Sequence, residues 1–251
     1  MSFPETYHTG DSIRIGEPVL NREGYDFGGW LVNGNEAQQD ESDLWQIIAP
    51  QDYTNKLVEA SGWTAKPCQV TFLRNWEGDQ GDDASQVVDE RIVPYWDEVG
   101  DLPTPTAQQT PRGKRFVGWF KEREGGSQVD KYMQVRGEDV FLYAHWTNIV
   151  YTISYDMNGH GEEPANLKYL YTIDETPYDP ADGIDAPSET GYVFMGWSPA
   201  KIDEGSVGNK KFIAQWRPAQ YKIRYDGNGN TSGGMADEEH QYDQPRNLPP
   251  N

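Results

Sequence analysis

The sequence has one cysteine, Cys68, which excludes an internal disulfide framework and a cysteine-rich zinc site. Basic residues are scarce: 21 Lys and Arg stand against 41 Asp and Glu, for a formal net charge of −20 at pH 7. A chain this acidic, with no basic stretch, is repelled by nucleic acid and by anionic membrane surfaces. No apolar run approaches the roughly 18 residues that a spanning helix needs, so direct membrane insertion is not expected. Leu, Ile, Val and Phe together make up less than a fifth of the chain. That scarcity, combined with high net charge, ordinarily marks disorder. The aromatic content argues the other way: 9 Trp, 15 Tyr and 8 Phe predict a folded chain with small aromatic-centred cores. The 26 Gly and 17 Pro favour turns over a helix bundle. Residues 1–10 have neither the positive start nor the apolar stretch of a signal peptide. The chain is therefore expected to be cytosolic or an internal piece of a longer protein, and its repeats favour the second.

Internal repetition dominates the sequence. Gly24-Tyr25-Asp26-Phe27-Gly28-Gly29-Trp30 returns as Gly113-Lys114-Arg115-Phe116-Val117-Gly118-Trp119 and as Gly191-Tyr192-Val193-Phe194-Met195-Gly196-Trp197. The shared pattern is Gly-x-x-Phe-x-Gly-Trp. Downstream, Leu142-Tyr143-Ala144-His145-Trp146 matches Phe212-Ile213-Ala214-Gln215-Trp216, and Leu57 to Trp63 is a looser copy. A third signature opens a unit: Tyr151-Thr152-Ile153-Ser154-Tyr155-Asp156-Met157-Asn158-Gly159 matches Tyr221 to Gly229, with a weaker version at Cys68 to Phe72. Four segments follow. They are a partial, divergent module over 1–67, complete modules over 68–147 and 148–218, and the first half of another over 219–251. A chain that begins and ends within a repeat reads as a monomeric fragment of a longer array.

The opening signature alternates Tyr151, Ile153 and Tyr155 against Thr152, Ser154 and Asp156, the pattern of a half-buried strand. Asn158-Gly159 and Asn228-Gly229 then predict a tight hairpin turn. Cys68 aligns with Tyr151 and Tyr221 and is expected to be a small buried hydrophobe. The second signature reads as another strand, whose inner glycine either admits a close neighbour or marks a bulge. Phe27, Trp30, Phe116, Trp119, Trp146, Tyr151, Ile153, Tyr155, Phe194, Trp197 and Trp216 are the predicted structural core. A tryptophan at the same place in each unit reads as core filling in preference to a sugar-stacking platform. Trp45, Trp76 and Trp96 lie outside the signatures and are the candidates for surface contact. Linkers Thr64–Pro67, Thr147–Val150 and Arg217–Gln220 leave little room for independent tumbling, and a semi-rigid acidic rod is expected.

The sequence gives no positive sign of chemistry. His8, His145, His160 and His240 are dispersed, and no Gly-x-x-x-x-Gly-Lys phosphate loop occurs. Asp226 to Asn230 resembles the start of a calcium loop, but Thr231 stands where the loop needs glycine and Asp237 where it needs glutamate. A turn accounts for the same residues. Asp79, Asp82 and Asp83 read as a solvated acidic loop. No catalytic residue, metal or cofactor is expected, and the chain is read as non-enzymatic.

The three signatures in fixed order resemble the Listeria–Bacteroides repeat, also called the internalin B-repeat. The resemblance covers essentially the whole chain. It is closest over 148–218 and 219–251, fair over 68–147, where Gly113-Lys114 replaces Gly-Tyr, and loosest over 1–67. It implies a β-rich α+β fold of tandem β-grasp-like (ubiquitin-like) modules in an elongated array. It also implies an extracellular place in a bacterial secreted, cell-surface or cell-wall protein, as a stalk or spacer with a role in adhesion. The expected partner is a host or bacterial surface protein or a glycan. Carbohydrate binding by exposed tryptophans is the competing expectation. No wall-sorting signal is present; Leu102-Pro103-Thr104-Pro105-Thr106 departs from it at the fifth position.

Overall fold

The computed structural model describes residues 10–15, 22–41, 44–48, 57–76 and 86–247. His8 and the Asp79, Asp82, Asp83 loop lie outside the described residues. The chain divides into two compact units, Met1–Thr110 with Phe116–His145, and Pro111–Arg115 with Trp146–Asn251.

The first segment carries β1 (Ser12–Ile15), β2 (Tyr25–Phe27), β3 (Trp30–Val32), β4 (Asn35–Glu36), β5 (Gln38–Gln39), β6 (Trp45–Ile48), β7 (Val58–Ala60) and β8 (Trp63–Ala65). They form three small sheets, β1-β6-β5, β4-β3-β7 and β2-β8. The long stretch between Trp30 and Trp63 is thus filled by extra short strands, while β2 and β8, which carry the signature Phe27 and Trp63, still pair antiparallel.

The two complete repeats share one sheet plan. The first is β9 (Pro67–Leu73), β10 (Val87–Pro94), β11 (Lys114–Phe120) and β12 (Asp139–Asn148), in spatial order β10-β9-β12-β11. The second is β13 (Tyr151–Asp156), β14 (Leu170–Tyr171), β15 (Tyr192–Ser198) and β16 (Lys210–Pro218), in order β14-β13-β16-β15. In each, the first and last strands lie parallel at the centre, Asp139 to Tyr143 against Gln69 to Leu73, and Lys210 to Ile213 against Ile153 to Asp156. The edge strands β10, β14 and β15 pair antiparallel with β9, β13 and β16. The final half repeat is the two-stranded sheet of β17 (Gln220–Ile223) and β18 (Glu238–Gln241).

Two expectations need correction. The described residues contain no α-helix; their helical content is confined to short 3-10 turns such as Ile173–Glu175. Tyr, Phe and Trp recur throughout the signatures, and their bulky side chains suit a pleated sheet better than a helix. Second, Asn158 and Gly159 do adopt positive φ (56° and 80°), as do Asn228 and Gly229 (42° and 87°), but they do not close a two-residue hairpin. Pairing resumes only at Leu170 and Tyr171, opposite Thr152 and Tyr151 at the far end of the strand. The turn is held locally, by the Asp156 and Asp226 carboxylates accepting the amides of Asn158 and Asn228, both at 2.9 Å.

Burial follows the period-two pattern in β12 (Leu142, Ala144), β13 (Ile153, Tyr155) and β16 (Phe212, Ala214). In β9 Cys68, Val70 and Phe72 keep to it, but Thr71 and Leu73 are buried as well, so the end of this strand is covered on both faces. In the second repeat the small Ala214 stands opposite the signature Trp197 in the register of β15 and β16.

Candidate functional site

The signatures converge on aromatic clusters. Trp119 is almost fully buried, edge-on to Phe72 (4.9 Å between ring centres) and Phe116 (5.4 Å), and its indole N–H donates to the Pro103 carbonyl at 2.7 Å. Trp197 is buried in the equivalent place, edge-on to Tyr155 (5.2 Å) and Phe194 (5.3 Å). Half-buried Trp216 closes the same cluster on Phe194 at 5.3 Å and donates its N–H to Met157 at 2.9 Å. In the first segment half-buried Phe27 is flanked by Trp30 (5.2 Å) and Trp63 (5.4 Å). Ile153 is buried; Phe116, Trp146, Tyr151 and Phe194 are half-buried. Each ring pair adds about 0.5–1.5 kcal/mol beyond its area, and the indole N–H groups of Trp119 and Trp216 each find a carbonyl.

The three non-signature tryptophans part company. Trp45 is half-buried, with its ring edge-on to Phe27 at 6.4 Å and seated where a side chain at Gly29 would stand, 2.6 Å from a Cβ placed there. The inserted strands of the first segment bring it into the aromatic cluster. Trp76 is half-buried. Trp96 alone is well exposed, at 45%. It sits at φ 74° with the Arg136 guanidinium 3.7 Å over its ring.

Titratable groups serve the scaffold. Burial pushes the Cys68 thiol up, so it stays protonated and inert. Burial, then the hydrogen bond with Tyr178, holds the Tyr155 phenol far above its ordinary value. Glu189 accepts the Gly161 amide at 2.8 Å beside a shallow recess also lined by Glu162 and Asp185. Asp237 faces Arg224 at 3.5 Å. Among the described residues no three His, Cys, Asp or Glu are grouped to hold a metal ion. No helix among them is long and apolar enough to cross a membrane.

One polar cluster went unnoticed in the sequence. In the second unit Lys114 Nζ reaches Asp174 at 2.8 Å and Asn148 at 2.5 Å, and Asn148 donates to Asp174 at 2.9 Å. The ammonium, then the Asn148 amide, holds the Asp174 carboxyl below its ordinary 3.8. A depressed carboxylate stabilises above its unfolded value and loses that contribution as pH falls through the folded one. The contribution is therefore complete above about pH 5 and lost below the ordinary carboxylate range. With Asp174 half exposed, solvent screening limits it to under about 1 kcal/mol. Urea unfolding of the wild type and Asp174→Asn at pH 7 and pH 3 should show a gap between them at pH 7 that narrows at pH 3. An equal gap at both values would remove the carboxylate from the account.

The geometry is that of a strand-rich chain of several small sheets, in which the signature residues build aromatic clusters. The chain belongs to the Listeria-Bacteroides repeat domain family, whose model matches residues 69–145 and 151–210. It is 28% identical over 232 residues to a putative membrane protein of Evansella cellulosilytica, covering 87% of this chain and 31% of the relative. It is 24% identical over 249 residues to a putative Gly-rich membrane protein of the same organism, covering 92% and 26%. It is 34% identical over 151 residues to internalin H of Listeria monocytogenes, covering 59% and 24%. The chain thus spans about a third or less of the length of these relatives. No solved structure matches it significantly.

Proposed function

We propose that this chain is a non-enzymatic repeat region of a bacterial secreted or cell-surface protein, acting as a spacer that carries an adhesive or host-contacting part away from the cell. The observation that carries the reading is the reuse of one sheet plan, β10-β9-β12-β11 and β14-β13-β16-β15, around cores that take up the recurrent aromatics. Residues that recur in each repeat are spent on folding it, as a spacer requires. The central parallel pair flanked by antiparallel edges supports a β-grasp-like module. The names of the relatives, two membrane proteins and an internalin, favour an extracellular location.

Small-angle scattering of the chain, with and without calcium, tests the spacer. An extended particle indifferent to calcium is expected; a compact one, or one that changes with calcium, sinks it. A glycan-binding array is the second reading, favoured by the exposure of Trp96 under Arg136. Glycan titration followed by tryptophan emission separates the two, because Trp119 and Trp197 are shielded and Trp96, the most exposed of the tryptophans, is the best placed to respond; a response abolished by Trp96→Ala favours the glycan reading.

A further inference from the structure

The first glycine of each Gly-x-x-Phe-x-Gly-Trp signature sits in a turn that leads into its strand, where the amides of Tyr25, Lys114 and Tyr192 donate to the carbonyls of Arg22, Pro111 and Glu189 at 3.1, 3.1 and 3.2 Å, and it also meets a residue outside its own repeat. All three have left-handed backbones, with φ of 77° at Gly24, 72° at Gly113 and 81° at Gly191. All three face a residue that follows the second strand of the next repeat. In the first unit, a Cβ on Gly24 would lie 2.2 Å from the ring carbons of Tyr95. In the second unit, a Cβ on Gly191 would lie 2.3 Å from the ring of Tyr242, and one on Gly113 would lie 2.9 Å from Cβ of Ile173. These atoms are ring carbons or the Cβ itself, close to the backbone, not the far ends of flexible side chains. Each glycine carbonyl also accepts an amide from the linker that leads into the next repeat: Lys66 onto Gly24 at 2.9 Å, Ile149 onto Gly113 at 2.9 Å and Ala219 onto Gly191 at 2.8 Å. Tyr95 and Tyr242 in turn donate their own amides to the linker carbonyls of Lys66 and Ala219, both at 2.8 Å.

The residue after the glycine varies in step with what arrives. Where Tyr95 and Tyr242 arrive, the next residue is Tyr25 or Tyr192, and the rings meet edge to face at 5.7 and 5.6 Å. Tyr192 adds a hydrogen bond to Asp243 at 3.1 Å. Where Ile173 arrives, followed by Asp174, the next residue is Lys114, and the contact is the ion pair at 2.8 Å. The departure of Gly113-Lys114 from Gly-Tyr is therefore answered across the contact by Ile173-Asp174 in place of Tyr-Asp or Tyr-Trp.

We propose that the leading glycine of each signature is the receiving half of a joint between consecutive repeats, and that the residue after it is matched to the side chains the next repeat delivers. The partner of this surface is the following repeat of the same chain. Two joints are aromatic and one is ionic, so the repeats are not interchangeable in order. A spacer and a binding array would both be served by it.

Amide hydrogen exchange of the full chain tests this at single residues. Gly191→Ala should speed exchange at Ala219 and Tyr242 at least tenfold while Phe212 and Ala214, in the core of the same repeat, stay protected. Gly205→Ala controls for the backbone, because Gly205 is also left-handed (φ 68°) but has open space where a Cβ would stand; it should leave Ala219 unchanged. At the ionic joint Lys114→Asp should speed exchange at Ile149, and the double variant Lys114→Asp with Asp174→Lys should restore it. High salt should speed Ile149 and spare Ala219, because attraction between partly exposed charges is screened within about 3 Å at 1 M. If Gly191→Ala and Gly205→Ala act alike at Ala219, the glycine is not a socket. If the charge-reversed pair gives no recovery, the matching is wrong. If Gly191→Ala also unprotects Phe212, Tyr242→Ala decides: loss confined to the joint supports the proposal, and loss of the whole repeat overturns it.

Discussion

Replacing Trp119 by alanine should cost about 3–5 kcal/mol of unfolding free energy, the range for removing a large buried aromatic. The side chain is 1% exposed, touches Phe72 and Phe116, and its N–H satisfies the Pro103 carbonyl. The substitution opens a cavity and removes the donor from the half-buried Pro103 carbonyl together. Urea unfolding followed by circular dichroism provides the measurement, with Trp96→Ala as comparison. Trp96 is 45% exposed, so its loss should shift stability by under about 1 kcal/mol. Similar costs for the two would mean that the signature tryptophan does not hold the repeat together.

Phe212→Ala should be comparably severe, again about 3–5 kcal/mol. Phe212 is fully buried, lies nearly parallel to Tyr155 at 5.6 Å, and meets Tyr178 and Trp197 edge-on at 6.3 and 6.4 Å. It also sits opposite Tyr155 in the parallel register, so its removal loosens the two central strands at once. Hydrogen exchange should show amides of β13 and β16 losing protection, while those of β9, in the first unit, keep theirs. Loss of protection in β9 as well would mean that the two units unfold together.

Much of the strand pattern could be read from alternation alone. Cys68, Val70 and Phe72, and Ile153 with Tyr155, face inward because every second side chain of a strand shares a side. The sequence also spoke for the signature aromatics, because identical residues at identical places demand a common surrounding. Three things stayed hidden, for different physical reasons. The turns at Asn158 and Asn228 carry local dihedral preferences, but strand partners are set by distant residues, and Tyr171 pairing with Tyr151 leaves no local trace. Trp45 reaches the Phe27 cluster through inserted strands found only in the first segment, so no repeat comparison could place it. The contact of Lys114 with Asp174 spans 60 positions and shows in the sequence only as a missing tyrosine after Gly113. That absence was the signal, and it becomes readable once Ile173 and Tyr242 are seen in equivalent places.

The parallel neighbours at the centre of each sheet have a mechanical consequence. The chain enters a repeat through β9 and leaves through β12, and these strands run side by side in the same direction; β13 and β16 repeat the arrangement. Tension applied at the entrance of β9 and the exit of β12 would slide one strand along the other. All the rungs between them would then bear the load together, whereas an antiparallel exit would open them one at a time. A repeat wired this way meets such tension by shear along its central strands.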